Sequence, residues 1–303
     1  MNIIKTLVLI WAFLLTTMAH ASEFLVSTDW LEKNLNNPKL SIVEVSTDTG
    51  VFERGHIQGA VNIKWHTDLV DPVKRDIASK ENLQKTLQAL GINNDSTIVI
   101  YGDNNNWFAA WGAWVFDVYG VKNVKLLDGG RKKWEEEKRP LTPIATSIKP
   151  GNILLSNANN TLRAKLPDVV EVANKKSNTI LVDIRSPDEF SGKIFAPPGF
   201  AETAIRAGHI PGAVNVPWAS AVAPDGTFKS KEELKKIYAA VGVDEKKPII
   251  TYCRIGERSS HTWFALKKIL GYEVRNYDGS WTEYGNSVGN PVANPAGTVW
   301  GGK

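Results

Sequence analysis

The chain has 303 residues, with 36 Lys and Arg against 32 Asp and Glu, a net charge of +4, and a single cysteine, Cys253. That mild excess of base is not the clustered basic surface nucleic acid requires, and one cysteine excludes an internal disulfide. Of the five histidines, His56, His66, His209 and His261 show no H-x-x-x-H spacing and no C-x-x-C accompanies them, so the sequence offers no metal set and calls for no cofactor.

The first 21 residues read as a leader. Lys5 supplies a positive start, residues 6–15 are nearly unbroken in apolar side chains, and Ala19-His20-Ala21 fits a small-x-small cleavage site. The run is shorter than the roughly 20 residues of a membrane span. The expectation is a signal peptide over residues 1–21, a periplasmic or secreted mature protein, and no membrane association after cleavage. An idle thiol is a liability in an oxidising compartment, which raises the case that Cys253 works.

The rest of the chain repeats itself. His56-Ile57-Gln58-Gly59-Ala60-Val61-Asn62 returns as His209-Ile210-Pro211-Gly212-Ala213-Val214-Asn215. Apolar runs at 42–45 and 98–101 match those at 181–184 and 249–252, and Asp128-Gly129-Gly130 matches Asp278-Gly279-Ser280. Four landmarks in one order indicate a domain copied in tandem. Short strands alternate with helical stretches at 81–90, 108–119, 231–241 and 262–270, the pattern of a doubly wound parallel α/β sheet in each copy. We read residues 22–143 as a first domain, 144–160 as a linker, and 161–303 as a second domain with an irregular Gly/Asn/Pro-rich tail. The tryptophans at 107, 111 and 114 read as core and interface packing.

Two differences separate the copies. Ser46 to His56 spans 10 positions and Arg185 to His209 spans 24, so the second copy carries 14 more, within a Pro-rich loop at 189–206 that could line a site. Aligning Tyr101 with Tyr252 sets Gly102 against Cys253 and Asp103 against Arg254. The first copy therefore has no thiol, and its expected role is packing. His56 and His209 recur in both copies, so a fold role pinning a turn is expected of them. Asp183 and Arg185 are expected as a buried pair.

Cys253 stands where a strand gives way to the turn Arg254-Ile255-Gly256-Glu257-Arg258-Ser259 and then a helix. Backbone N–H groups of that turn can converge as an anion nest, with Gly256 allowing the curvature. Together with Arg254 and Arg258 they are expected to favour thiolate over thiol. Glu257 is expected to face solvent or pair with an arginine. A cysteine phosphatase would need Cys-x5-Arg; Arg258 makes this loop Cys-x4-Arg, one residue short for a tetrahedral oxyanion.

The loop Cys253 to Ser259 resembles the active-site loop of the rhodaneses, and residues 25–284 resemble a tandem two-domain member with an inactive first domain. The resemblance implies a sulfurtransferase in which Cys253 takes the outer sulfur of thiosulfate as a persulfide and passes it to cyanide or a thiol. It implies loop residues 254–259 as substrate contacts. Family members of the animal type carry an arginine where this chain has Glu189, so Arg185 or Arg206 is expected to contact substrate instead. Arg254 and Arg258 favour thiosulfate over 3-mercaptopyruvate. A persulfide carrier without turnover is the other reading. Partners are limited to a small-molecule sulfur donor and acceptor, and a monomer is expected.

Overall fold

The structure, a computed structural model, describes residues 23–201 and 203–301. The expected signal peptide lies outside the described residues. In the first half the order is β1 (Leu25–Val26), α1 (Thr28–Asn34), β2 (Leu40–Glu44), α2 (Val51–Arg54), β3 (Ala60–Asn62), α3 (Lys80–Ala89), β4 (Thr97–Tyr101), α4 (Trp107–Val118), β5 (Val124–Leu127) and α5 (Gly130–Glu136). The second half runs α6 (Leu166–Ala173), β6 (Ile180–Asp183), α7 (Pro187–Ser191), β7 (Val214–Asn215), α8 (Lys231–Ala239), β8 (Ile249–Tyr252), α9 (Glu257–Phe264), β9 (Val274–Asn276) and α10 (Ser280–Asn286).

The strands form two separate all-parallel sheets, ordered β1-β5-β4-β2-β3 and β7-β6-β8-β9. Central strands such as Thr97–Tyr101 and Ile249–Tyr252 are buried on both faces, which is why they read as continuous apolar runs rather than alternating ones. The counterpart of β1 in the second sheet is a single parallel bridge, Arg163 to Asn276. Residues 144–160 are not a free connection: Gly151 and Ile153 bond to Gln88 and Ile92, and Ile153 and Leu155 are buried on the first domain.

One apolar cluster runs through both halves, with α4 laid on α9 at its centre. Trp107 meets Trp218 edge-on at 4.9 Å, and Trp114 Nε1 donates to the Leu162 carbonyl at 3.0 Å. The tryptophans thus join core to interface. Two matching loops then reach across reciprocally. Loop 71–77 of the first half sends Arg75 Nη2 to the Ile255 carbonyl (2.6 Å) and Asp76 to Arg163 and Lys165. Loop 224–228 of the second half sends Asp225 to Lys133 (2.7 Å) and its Phe228 N–H to Asp128 (2.9 Å).

The repeated histidines do the same work twice. His56 stacks on Phe52 at 3.9 Å with Nδ1 3.0 Å from the Phe52 carbonyl, and His209 stacks on Phe190 at 3.6 Å with Nδ1 2.7 Å from the Phe190 carbonyl. The tail is held more firmly than an irregular wrap implies. His209 and Ala293 exchange backbone bonds, and Tyr284 donates to the Pro291 carbonyl at 2.7 Å.

Candidate active site

Ligand chemistry in parallel α/β sheets gathers at the carboxyl ends of the strands. Cys253 follows β8 at that end, with β6 and β9 on either side, and it is fully buried. The backbone then turns through Gly256 at φ +98 and enters α9. A Cβ there would lie 2.7 Å from the Asp278 Cα, so the turn admits only glycine.

Sγ accepts the Gly256 N–H at 3.1 Å, and its own proton points at Glu257 Oε2, 3.2 Å away. Ser259 Oγ bonds the Gly256 carbonyl and Asn276, and Ser260 Oγ bonds the same carbonyl, so the far side of the loop is tied down by buried hydroxyls. Ser280 Oγ accepts the Cys253 N–H at 3.1 Å and lies 3.9 Å from Sγ. Ser280 is held at φ +52, a conformation that costs a non-glycine residue of order 1 kcal/mol or more. Sequence reasoning passed over Ser280, although the copies differ there: Gly130 stands at the equivalent position.

Several expectations need correction. Burial, and then the neighbouring Glu257 carboxylate, push the Cys253 thiol up; Arg258 and the Ser259 hydrogen bonds oppose them without prevailing. These surroundings favour the thiol over the expected thiolate. Of the two expectations for Glu257, pairing with an arginine holds, Arg258 Nε lying 3.6 Å from Oε1, while solvent exposure does not: the side chain is 1% exposed and its other oxygen touches Sγ. Arg254 turns away from the sulfur, donating to the Ala201 carbonyl at 3.1 Å and lying 5.2 Å over the Phe200 ring. The extra loop of the second copy thus covers Arg254. Arg258 is clamped by Glu189, Nη1 to Oε2 at 3.2 Å and Nη2 to Oε1 at 3.1 Å; burial works against its charge, but Cys253 first and then Glu189 and Glu257 hold its pKa above the usual arginine value. Arg258 is thus engaged by a carboxylate, while Arg254 meets a backbone carbonyl and a ring with no carboxylate beside it among the described residues.

Arg185 and Arg206 are not available to substrate. Arg185 is 1% exposed, pairs with Asp183 at 2.6 Å and donates to the Gly208 carbonyl at 2.7 Å, with its guanidinium 4.7 Å over Trp281. Arg206 spends its donors on the carbonyls of Tyr284, Gly285, Ser287 and Asn290, fastening the tail. Nε and Nη2 of Arg185, and all three guanidinium nitrogens of Arg206, are taken up by carbonyls or carboxylates of the fold.

A cleft of about 460 Å³ opens beside the loop, lined by Lys74, Arg75 and Asp76 from the first half and by Lys165, Ile255, Asp278 and Thr282 from the second. Sequence reasoning gave the first domain packing alone, and the residues it adds here carried no motif to betray them. A larger cavity of about 590 Å³, lined by Asp48, Arg54, Asp103 and Arg131, opens at the matching end of the first sheet. Its lining holds carboxylates and arginines but no thiol, the one cysteine being Cys253 beside the other cleft. Among the described residues no group of His, Cys, Asp and Glu could hold a metal ion, and no helix is long and apolar enough to cross a membrane.

The rhodanese-like domain family matches residues 27–137 and again residues 166–287. Over 273 residues the chain is 53% identical to a Mycolicibacterium smegmatis protein named "Putative thiosulfate sulfurtransferase", covering 89% of this chain and 98% of the relative. It is 51% identical over 275 residues to "Sulfur carrier protein TtuD" of Thermus thermophilus, covering 89% and 96%. Among solved structures, the 3-mercaptopyruvate sulfotransferase SseA of Escherichia coli superposes with a TM-score of 0.72 at 27% identity, over 85% of this chain and 98% of that one.

Proposed function

The chain belongs to the rhodanese sulfurtransferase family, as a tandem-domain member, and from that premise we propose that it moves sulfane sulfur from thiosulfate to cyanide or a thiol acceptor through a persulfide on Cys253. The observation that carries the reading is a lone, buried thiol at a strand end, its sulfur accepting a backbone N–H of the turn that opens α9. Such a turn stabilises the charge that develops on sulfur as preorganised donors do elsewhere. No second cysteine exists to resolve a persulfide, so the acceptor comes from outside the chain.

The loop favours sulfur over phosphorus. A phosphatase aims its arginine at a bound oxyanion, whereas Arg258 is spent on Glu189 and the Glu257 carboxylate lies against the nucleophile. Thiosulfate is preferred as donor because relatives 53% and 54% identical carry the name "Putative thiosulfate sulfurtransferase". A carrier that receives persulfide without turnover is the second reading, favoured by the likeness to TtuD.

The test is thiocyanate formation from thiosulfate and cyanide by purified protein, beside Cys253→Ala. Turnover lost completely in the variant supports the enzyme. Equal turnover in both, or none in either, sinks it, and sulfur bound to Cys253 without thiocyanate supports the carrier. Faster loading from 3-mercaptopyruvate would reassign the donor.

A further inference from the structure

We propose that Glu257 is the proton acceptor of Cys253, taking the thiol proton as sulfur is loaded and returning it as sulfur is delivered. The inference rests on the sulfur-transfer reading and names a catalytic residue within it. Its geometric basis is the contact of Sγ with Glu257 Oε2 at 3.2 Å, made by two side chains that are 0% and 1% exposed. The carboxylate is the first residue of α9 and bends back into the loop, where Oε2 also accepts the Ile255 N–H at 3.3 Å. A carboxylate in that position is aimed at the sulfur, whereas a solvated helix-start glutamate would point outward.

The groups around it leave no rival acceptor among the described residues. Cys253 faces it from the end of β8, and Arg258 Nε lies 3.6 Å away on α9. Glu189 of α7 neutralises Arg258 from the other side, and Arg75 of the first domain bonds the Ile255 carbonyl rather than the carboxylate. His261, one turn along α9, is stacked 4.3 Å over Phe228, and burial keeps it neutral down to about pH 3. Ser280 Oγ donates to the Tyr277 carbonyl and stays 3.9 Å from Sγ.

The step balances. Sγ attacks the outer sulfur of thiosulfate, a new S–S bond forms, and the donor's S–S bond breaks with its electron pair leaving on sulfite. The thiol proton moves to Glu257, so thiol plus carboxylate becomes persulfide anion plus carboxylic acid. The site carries one negative charge before and after. Cyanide then attacks the outer sulfur, thiocyanate leaves, and Sγ recovers its pair and the proton from Glu257. If the proton left for solvent instead, the loaded pocket would hold a persulfide anion and a carboxylate a few ångströms apart in a buried site, an arrangement that is strongly disfavoured.

Two measurements on the full chain test this with Glu257→Gln, which keeps the side chain's size and an oxygen for the Ile255 N–H; thermal unfolding confirms that the variant is folded. The first is the pH profile of Cys253 alkylation by iodoacetamide, which needs no sulfur transfer. Removing the neighbouring negative charge should move its midpoint down and make the thiol alkylate faster at pH 7. The second is single-turnover loading from thiosulfate, which should fall on the order of 100-fold, the usual scale for losing a positioned acid–base group. Glu257→Asp, which retains the carboxylate, should recover part of that loss. Alkylation and loading moving in opposite directions is the signature of a proton acceptor. Loading that rises with the thiolate fraction, or an unshifted alkylation midpoint, overturns the role of Glu257 alone. Unmodified protein that takes no sulfur from thiosulfate overturns the parent reading and the transfer step with it. If Glu257→Gln does not fold, Glu257→Asp decides by itself: loading reduced less than tenfold with the alkylation midpoint retained supports the acceptor, and unchanged loading with a shifted midpoint refutes it.

Discussion

His261 shows how one buried side chain sets a pH response. It is packed between Phe228 and Trp218, its Nδ1 has no partner, and burial lowers its pKa to about 3. An unfolded chain protonates histidine near 6.5, so between about pH 6.5 and pH 3 the unfolded state binds the extra proton. Stability from this group is therefore complete above pH 6.5 and falls as pH falls, by on the order of 1.4 kcal/mol per unit. Asp128 acts the other way. Burial raises it to about 6, so between there and its unfolded value the folded state holds the proton, and its cost fades on acidification. The two partly cancel between pH 6 and pH 4, and whole-protein titration would hide both. Replacing His261 by Phe, which keeps the stack on Phe228, separates them. The stability gap between His261→Phe and the parent, read from urea midpoints, should be about 2 kcal/mol wider at pH 5 than at pH 7. An equal gap at both pH values would show that His261 titrates normally in the folded chain.

The strand ends show what a repeat discloses and what it conceals. The sequence comparison located the nucleophile because Gly102 faces Cys253 across the two copies, and motif, strand and turn are all local features. It could not show that position 102 has no space. A Cβ on Gly102 would lie 2.2 Å from the Val45 carbonyl oxygen, and Asn104, Asn105 and Asn106 follow in left-handed conformations where the second copy has Ile255, Gly256 and Glu257. Asp103 fills the remaining room, accepting the N–H groups of Thr47 and Asp48. The first copy has thus rebuilt its strand end around small and amide side chains, beyond the loss of one thiol. Gly102→Cys in a Cys253→Ala background should remain inactive in the thiocyanate assay and lose about 1–3 kcal/mol, the usual range for forcing atoms into a filled site. Recovered turnover would show that the first strand end relaxes into a working loop. The arginines failed as sequence expectations for the same reason that this site was readable. Charge type is visible in a sequence, and so was the local Asp183–Arg185 pair, but the Glu189 and Gly285 oxygens that engage Arg258 and Arg206 arrive from distant positions.

At the scale of the molecule, the silent half is coupled to the working one by more than packing. The reciprocal loops meet equivalent places: 224–228 rests on Asp128 and Lys133, and 71–77 reaches Asp278's neighbour Arg163 and the cysteine loop itself. Only the second of these contacts touches chemistry. Arg75, at φ +56 and with its guanidinium 5.1 Å over Trp65, carries Nη2 to the Ile255 carbonyl at 2.6 Å. That bond turns the carbonyl outward into the cleft and leaves the Ile255 N–H facing the Glu257 carboxylate. Arg75→Ala removes a solvent-exposed side chain, so global stability should fall by no more than about 1 kcal/mol. The loop it braces would lose one charge-assisted hydrogen bond, worth on the order of 1 kcal/mol at an exposed site. The kcat/KM for thiosulfate should then fall roughly fivefold, with Arg75→Lys intermediate because a single ammonium can still reach one carbonyl. Raised salt should weaken the parent more than the alanine variant. Unchanged kcat/KM in Arg75→Ala would confine the first domain to a scaffold, and a large loss of stability would show that Arg75 belongs to the core interface rather than to the loop.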